Sequence, residues 1–560
     1  MRWSVALLGA ALLLTPAACD REPRGEPSPR ITEVLSGAGS APVTLQLPGG
    51  DTLVLSPDVV AFYKARQYRQ AWTDYDEILD RGWVLLETME SATEDGLDPD
   101  LYRYDIAARL VNLVEEDSLS EANEPAAMAI VDMVLTEVFG RYAQHLTGGI
   151  MDPSASQVEW RIPKDTVEVR ALFDRLVADE NPAAVIESLR PGAPEYRLLM
   201  EQLARYRQMA AGGGWPLVPE TFDAEPGDRA PEVAALRQRL AAEGDAEEAR
   251  LAAAGQADAQ HFDEDLKAAL EHFQARHSIE PDGVVGPATL AQLNVTAEER
   301  VQQIILNLDQ WRWLPQELGE RYILVNVAGF EMELVENDSV LLAMNVVVGQ
   351  EGWETAIFRD TMESIVFNPY WNVPAGIERE EILPAIRRDP GYLARENLEV
   401  VRGESVVSPA SVDWSAVGEG SPYRFRQRPG PDNALGQVKF LFPNEYDIYL
   451  HDTPAKSRFS ASQRAFSHGC IRLEKPFDLA RVLLDRVTDQ SADDLDDLLA
   501  GGQEKWVRVT QPLPVYVLYF TAWAGRDGTM RFHPDVYERD RRLEEQAQKR
   551  LGTTSAETAP

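Results

Sequence analysis

The stretch RYILVNVAGFEMELVENDSVLLAMNVVVGQ, Arg321–Gln350, has the pattern of paired β-strands. Its apolar residues are largely β-branched or alternate with polar ones, and the polar turn Glu336-Asn337-Asp338 divides them. The segments SIVFNPYWNVP (364–374) and KFLFPNEYDIYLHDTP (439–454) are further predicted strands. The sequence therefore predicts a β-rich domain, which we place over residues 300–540.

The chain before this stretch has the pattern of helices. In DMVLTEVFGRYAQHL (132–146), apolar residues at helical spacing predict a core stripe that includes Met133, Val134, Val138 and Tyr142. Glycines and prolines from residue 212 onward predict a linker. We find no catalytic cluster here and predict a helical scaffold domain over residues 51–225.

Residues 228–295 predict a small module of three helices. Pro287 stands near the start of the third helix, after the turn DGVVG. On the first two helices, one face of each carries the apolar residues: Val233, Leu236 and Leu240, then Phe262, Leu266, Leu270 and Phe273. The module also resembles the peptidoglycan-binding domain family through four elements in order: Phe273-Gln274, Asp282-Gly283, Gly286-Thr289 and Leu293-Asn294.

The N-terminus, MRWSVALLGAALLLTPAACDREPR, has the layout of an export signal. A basic residue, Arg2, precedes an apolar run that is too short to span a membrane, and small residues follow it. We predict a signal peptide over residues 1–18 and a tether over residues 19–50. TPAAC resembles a bacterial lipobox, which implies that Cys19 is lipidated after cleavage; ordinary export without a lipid is the alternative.

The charge of the chain limits its partners. With 92 acidic against 54 basic residues, the formal net charge is −38, which argues against nucleic acid or anionic lipid as the main partner. We expect a periplasmic protein that meets the membrane only through a lipid at Cys19. The predicted fold class is multidomain α+β: a helical scaffold, a three-helix module, a β-rich domain with a capping insertion, and a flexible tail over residues 541–560.

Cys470, in FSHGCIRL, is one of only two cysteines in the chain. Once Cys19 is removed or acylated, Cys470 has no partner for a disulfide within the chain. Structural cysteines of exported proteins are normally paired. Cys470 is therefore either a small buried apolar residue or a working thiol.

A histidine is placed to work with this thiol. His451 ends the predicted strand YDIYLH, nineteen positions before Cys470. A thiolate is the attacking species, and an imidazole close in space can take the thiol proton. Gly469 lets backbone amides approach a reacting group closely, so amides around Gly469 and Cys470 could hold an oxyanion.

These residues resemble the signature of a known enzyme family. His451, followed by Ser467-His468-Gly469-Cys470-Ile471-Arg472, is similar to the motif of the YkuD-type L,D-transpeptidases. FNPYWNVP, RQRPGPDNALGQVKF, LHDTPAKSRFS and VYVLYFTAWAGRDGTMRFHPDVYERD resemble the YcbB-like branch of that family. The resemblance extends from Phe62 to about Asp540 and implies a YkuD-type catalytic domain.

The resemblance implies an acyl transfer on peptidoglycan stem peptides, without a cofactor. Cys470 attacks the carbonyl between the third residue of a donor tetrapeptide, a diamino acid, and the terminal D-Ala. D-Ala leaves, and a thioester remains. The side-chain amine of an acceptor diamino acid then attacks the thioester, which gives a 3→3 cross-link. His451 is implied as general base and acid, and carbapenems, which mimic an acyl donor, are expected to acylate Cys470.

Further residues have roles that stay open at this point. His468 shapes the loop and the oxyanion site or is a rival base, and Ser467 orients a histidine or caps the turn. Arg472 holds a substrate carboxylate or anchors the loop. The insertion over residues 375–435 is a lid on the cleft or a passive surface segment. One predicted strand has residues that either line the donor cleft or belong to the core: Asn368, Tyr370 and Trp371.

Two other functions remain possible from the sequence. An L,D-carboxypeptidase or another hydrolase would form the same thioester and deliver water to it. A wall-binding lipoprotein without activity would leave Cys470 and His451 idle. The scattered histidines lack metal-binding spacing and the S-x-x-K and K-T-G pair is missing, so a zinc peptidase and a serine penicillin-binding enzyme are disfavoured.

Overall fold

The computed structural model describes residues 26–546, apart from 39–41, 48–49, 75, 116–123, 154–159, 165, 180, 246–258 and 419. The chain forms two compact units. The first takes residues up to 93 with 97–146 and 166–189, and the second takes 94–96, 147–165 and the chain from 190 onward. The predicted signal peptide, Cys19 and residues 547–560 of the predicted tail lie outside the described residues.

The first unit is helical, as predicted. Strands Val43–Gln46 (β1) and Thr52–Leu55 (β2) form an antiparallel hairpin beside the helices. The predicted core stripe is confirmed, since Met133, Val134, Val138 and Tyr142 are fully buried. The α-helices are Pro29–Leu35 (α1), Pro57–Ala65 (α2), Asp80–Glu90 (α3), Tyr104–Glu115 (α4), Glu124–Gly148 (α5), Val169–Ala178 (α6) and Pro182–Glu187 (α7).

The tether predicted over residues 19–50 is wrong for Pro29–Leu35 and Val43–Gln46, which form a helix and a strand. The Ser28 side chain accepts a hydrogen bond from the Ile31 N–H, and Pro29 occupies the first turn, which together favour the start of α1. Ile31 and Leu35 lie one helical turn apart and are fully buried. Leu45 of β1 is buried as well. These apolar side chains hold the segment in the core. The Pro, Gly and Ser residues around them led the sequence analysis to predict a tether.

Helices also begin the second unit. The predicted three-helix module is formed by the second to fourth of them, and every apolar residue predicted for its first two helices is buried in one cluster. The α-helices are Pro194–Ala211 (α8), Pro231–Glu243 (α9), Glu264–Arg276 (α10), Pro287–Leu293 (α11) and Ala297–Trp311 (α12).

A twelve-stranded sheet forms the β-rich part of this unit. The strands of the unit are Trp160–Arg161 (β3), Arg321–Asn326 (β4), Glu331–Glu336 (β5), Ser339–Gly349 (β6), Ile357–Thr361 (β7), Ser364–Phe367 (β8), Trp371–Asn372 (β9), Leu398–Arg402 (β10), Ser405–Val407 (β11), Tyr423–Gln427 (β12), Val438–Leu441 (β13), Leu450–His451 (β14), Ala465–Ser467 (β15), Ile471–Leu473 (β16), Lys505–Arg508 (β17), Pro514–Leu518 (β18), Ala522–Ala524 (β19) and Met530–Phe532 (β20). The order in the large sheet is β17-β8-β13-β14-β16-β6-β5-β4-β18-β7-β3, with β15 paired to β6.

The residues between β8 and β13 form a subdomain with its own core. Strands β9 to β12 make an antiparallel sheet in the order β11-β10-β12-β9. Helices Ala375–Ile377 (α13), Leu383–Arg388 (α14) and Tyr392–Arg395 (α15) belong to it, with a π-helical turn at Glu378–Ile382. Ile386, Val400 and Phe425 are among its buried core residues. This subdomain, called the insertion below, corresponds to the capping insertion predicted over residues 375–435.

The chain after the SHGC motif returns to helix. Helix Pro476–Val487 (α16) buries Leu479, Leu483 and Val487 completely. Helix Leu495–Leu499 (α17) and the β19–β20 hairpin follow. Residues 539–546 are also helical, and Leu543 is buried. The start of the predicted flexible tail is therefore folded, because an apolar side chain in its first turn reaches the core.

Candidate active site

Two neighbouring parallel strands, β14 and β16, bring the motif residues onto one face of the sheet. His451 lies opposite Arg472 in their register. The Ile471 N–H donates to the Tyr449 carbonyl at 3.1 Å, so the same register continues to Tyr449 and Cys470. Alternate residues of a strand share a face. That face therefore carries a square of side chains with Cys470 and His451 on its diagonal: Tyr449, His451, Cys470 and Arg472.

The turn before Cys470 has a fixed hydrogen-bond pattern. Gly469 has a φ of +104°, a conformation that favours glycine. Ser467 Oγ accepts from the Gly469 N–H at 3.1 Å and donates to the Cys470 carbonyl at 2.6 Å. Of the two interpretations of Ser467, the geometry favours the turn cap. The Gly469 amide is thus engaged, whereas no group in the described part of the chain accepts a hydrogen bond from the Cys470 N–H.

The Cys470 thiol is partly exposed and protonated at rest. Its Sγ donates a weak hydrogen bond to the Asp447 carbonyl, with 3.7 Å between the heavy atoms. Burial raises the pKa of Cys470 to about 11, although hydrogen bonding from Tyr449 and the charge of Arg472 act in the opposite direction. At neutral pH the group is therefore a thiol, and it needs a base before it can attack.

His451 is a buried, neutral imidazole. Its Nδ1 hydrogen-bonds to the Asp452 carbonyl, so Nδ1 carries the proton and Nε2 keeps its lone pair. Burial lowers the pKa of His451 to about 3, and the charge of Arg472 adds to this effect. Within the described residues, His451 and the Cys470 thiol share no hydrogen bond. The resting site thus pairs a neutral base with a neutral thiol.

Asp452 fixes the position of the base. Its carboxylate accepts from the Gln437 N–H at 2.9 Å and from the Lys456 ammonium at 2.7 Å. Gly436, with a φ of +58°, packs so closely that a Cβ there would lie 2.2 Å from the Asp452 carboxylate. Only glycine fits this position, because any side chain would push Asp452 away. The carbonyl that orients His451 is therefore held from several directions.

Arg472 places an unsatisfied cation beside the thiol. It makes no hydrogen bond or ion pair with any described residue, and its Nε is buried without a partner. Burial lowers the pKa of Arg472, while the nearby Cys470 raises it and the nearby charge of Arg458 lowers it further. Anchoring of the loop by Arg472 gains no support from these contacts. A bound carboxylate would complete the guanidinium.

His468 faces the insertion. Its Nε2 lies 2.9 Å from the Glu381 carboxylate, and its ring meets Trp353 edge-on with centroids 5.0 Å apart. A Cβ on Gly376 would lie 2.9 Å from the Trp353 ring, so the start of the insertion packs on the same tryptophan. This arrangement favours a role in shaping the loop, because Glu381 already occupies the nitrogen that a rival base would use.

The predicted donor-cleft residue Asn368 has a structural contact instead. Its side chain is buried, and Nδ2 donates to the carbonyls of Leu498, Leu499 and Gln503 at 3.1–3.3 Å. Of the two interpretations of Asn368, these contacts favour the core one. The amide is used to hold the chain after α17, where helix carbonyls need donors.

Of the two aromatic neighbours of Asn368, Trp371 contacts a residue beside the thiol. The Tyr370 N–H donates to Glu504 at 2.9 Å, and the Arg426 guanidinium stands 4.5 Å from the Tyr370 ring centre. Burial raises the pKa of Tyr449, with the nearby Cys470 next in effect, and hydrogen bonding from Trp371 lowers it. Trp371, the first residue of β9, thus connects the insertion to the tyrosine beside the thiol.

Comparisons with protein families assign three parts of the chain to domains. Residues 320–500 match the model of the L,D-transpeptidase catalytic domain, the YkuD family. The chain contains an L,D-transpeptidase catalytic domain. Residues 229–293 match a family described as a peptidoglycan binding domain, and residues 57–203 match a scaffold domain family. The predicted fold class is confirmed, with a peptidoglycan-binding module beside a β-rich YkuD-type domain.

A curated relative carries the same assignment. An inferred L,D-transpeptidase of Haemophilus influenzae is 32% identical over 243 residues, which cover 43% of this chain and 49% of the relative. The chain thus spans about half the length of that protein. The match does not distinguish the YcbB-like branch, which stays a prediction.

Solved L,D-transpeptidase structures also match parts of the chain. One from Stackebrandtia nassauensis is 14% identical, covering 54% of this chain and 98% of its own, with a TM-score of 0.21. One from Mycobacterium smegmatis is 14% identical, covering 35% and 58%, with a TM-score of 0.16.

The transpeptidase domain has two further residues near the motif that sequence reasoning missed. Tyr449 precedes His451 by two positions, so strand alternation was a signal for it. Lys439 lies opposite His451 in the β13–β14 register, and this register cannot be read from the sequence. In the described ranges, no group of three or more His, Cys, Asp or Glu residues is arranged to hold a metal ion. No helix of the described part combines the length and apolar character of a membrane span.

Proposed function

We propose that this protein is a cysteine-dependent L,D-transpeptidase that forms 3→3 cross-links in peptidoglycan. The observation that carries the proposal is the shared face of β14 and β16, on which the thiol, the imidazole and a cation without a carboxylate partner lie together. Peptidoglycan as substrate is supported by the two matching domain families. We also propose that the protein is exported to the periplasm and lipidated at Cys19.

In the first step, Cys470 attacks the carbonyl of the diamino acid in a donor tetrapeptide. Nε2 of His451 accepts the thiol proton as the S–C bond forms, and returns it to the nitrogen of D-Ala as the C–N bond breaks. A thioester remains on Cys470. The Cys470 N–H is the amide free to donate to the oxyanion, because the Gly469 N–H is engaged by Ser467.

In the second step, the side-chain amine of an acceptor diamino acid attacks the thioester. The new C–N bond forms, the C–S bond breaks, and the proton of the amine passes through His451 to the leaving thiolate. The insertion supports transfer to an amine over hydrolysis. It packs on Trp353 and meets His468 of the motif, so it is placed to shield the thioester from water.

The test is the product formed on purified sacculi. We expect wild-type protein to produce cross-linked dimers joined 3→3, with release of D-Ala, as seen by mass spectrometry of the muropeptides. Cys470→Ala should fold and give neither product, since removing one thiol costs at most a few kcal/mol. Shortened monomers without dimers would instead identify an L,D-carboxypeptidase. D-Ala release by the Cys470→Ala variant would refute the assigned nucleophile.

A further inference from the structure

Lys439 is a cation without a partner in the wall of the candidate site. Each of the other described lysines donates a hydrogen bond or forms an ion pair; Lys456, for example, binds Asp452 at 2.7 Å. Lys439 makes neither with any described residue. Its side chain is only half-exposed, so water compensates the charge incompletely.

The sheet register aims this cation at the site. One row of partners crosses five neighbouring strands, from β17 to β16. Side chains directly opposite each other share a face. The row therefore places Lys439 on one side of His451 and Arg472 on the other. Its members, in order from β17 to β16, are Trp506, Val366, Lys439, His451 and Arg472.

Two aromatic rings hold the ammonium group in place. The Lys439 Nζ lies 5.9 Å from the Tyr449 ring centre and 5.8 Å from that of Trp506. Trp506 is 59% exposed, so this side of the row opens to solvent. The nearest acidic influence, Glu504, is engaged by the Tyr370 N–H and the Trp506 indole N–H. The rings position the ammonium but leave its hydrogen-bond donors unused.

We propose that Lys439 binds a free carboxylate of the donor stem peptide, on the side of His451 away from Cys470. The inference rests on the proposed function. A tetrapeptide donor has two carboxylates that fit: that of the terminal D-Ala and, where the diamino acid carries one, that of its side chain. Arg472 supplies the second cation. A stem peptide bound across the row would place its carboxylates on either side of the imidazole.

Three donors distinguish the sources of the carboxylate. The first has both carboxylates free, the second has a terminal D-alaninamide, and the third has the side-chain carboxyl of the diamino acid amidated. We would measure kcat/KM for release of the terminal residue with wild type, Lys439→Met, Lys439→Arg and Lys456→Met. Lys456→Met is the matched control, because it removes a charge near His451 that Asp452 already pairs.

Lys439→Met removes a charge-assisted hydrogen bond to the carboxylate. Its kcat/KM on the free donor should therefore be roughly 10- to 100-fold lower, mainly through a higher KM. If Lys439 binds a given carboxylate, Lys439→Met should not lower kcat/KM on the donor in which that carboxylate is amidated. On the free donor, Lys439→Arg should restore part of the lost kcat/KM. Lys456→Met should act equally on all three donors. An equal loss for Lys439→Met on all three donors, or no loss, would overturn the proposal.

Binding and stability keep this test separate from the proposed function. Calorimetry with Cys470→Ala, alone and combined with Lys439→Met, should show the same donor dependence in Kd. Thermal unfolding of Lys439→Met should be unchanged or occur at a higher temperature, because burial lowers the pKa of Lys439 and so disfavours its charge. If wild type releases no D-Ala, the proposed function fails; if it turns over but the donor dependence is missing, only the role of Lys439 fails.

Discussion

The thiol of Cys470 should react slowly with small alkylating agents in the folded protein. Its pKa is raised from 9.0 to about 11, mainly by burial. At pH 7 this lowers the thiolate fraction from about 1 in 100 to about 1 in 10,000. A more basic thiolate is a stronger nucleophile, with a Brønsted slope of about 0.4–0.5. Over this pKa difference the thiolate of the folded protein reacts nearly ten times faster than that of the unfolded chain, which offsets part of its lower abundance. We therefore expect labelling by iodoacetamide to be roughly tenfold slower than in the unfolded chain.

The assay is intact-mass measurement of the labelling rate from pH 6 to 10. The protein should carry Cys19→Ser, so that Cys470 is its only cysteine. The rate should rise about tenfold for each pH unit throughout this range, because the thiolate is the reactive form. The same chain in denaturant should level off near pH 9. His451→Gln should keep the profile of the folded chain, since an imidazole with a pKa of about 3 holds no stabilising charge at these pH values.

A labelling plateau near pH 6 that disappears in His451→Gln would refute this account. Such a plateau would show that the resting site holds a thiolate–imidazolium pair, whereas the structure indicates a neutral thiol and a neutral imidazole. Acylation by a tetrapeptide donor should behave differently from alkylation. There His451→Gln should cost about two to four orders of magnitude, because the proton must be removed as the bond to carbon forms.

Three other predictions concern the motif and the N-terminus. His451→Ala should slow D-Ala release by about two to four orders of magnitude and His468→Ala by less; the reverse order would exchange their roles. Cys19→Ser should move the protein out of the membrane fraction and abolish labelling by palmitate, and an unlabelled wild type would show ordinary export. A carbapenem should add one acyl group per chain, seen by intact mass in wild type and missing in Cys470→Ala; an adduct that persists in the variant would contradict acylation at Cys470.

The sequence predicted the kinds of groups at the site better than their partners. Spacing and motif brought out His451 and Cys470, because their chemistry is written in the residue types. Their diagonal placement depends on the register of β14 against β16, which hydrogen bonds between distant segments set. Lys439 was missed for the same reason.

Hydrogen-bond use was also hidden from the sequence. Asn368, which belongs to the predicted strand segment 364–374, donates to carbonyls more than a hundred residues later in the chain. The amide of Gly469 was predicted to help hold an oxyanion, yet this N–H donates a hydrogen bond to the Ser467 hydroxyl two positions earlier. Competition of this kind between a local side chain and a ligand for one donor is decided by geometry alone.

The insertion joins the large sheet at a single rung of its ladder. Phe367 and Val438 are direct partners on β8 and β13, and the Asn368 N–H donates to the Gln437 carbonyl at 2.8 Å. The entry and exit of the insertion are thus as close together as the two ends of a tight hairpin. Loop-closure entropy grows slowly with loop length, so the sheet tolerates a short turn or a whole subdomain at this rung at similar cost. Evolution, or an engineer, can therefore exchange this segment as a cassette and change what reaches the thiol while the catalytic strands stay as they are.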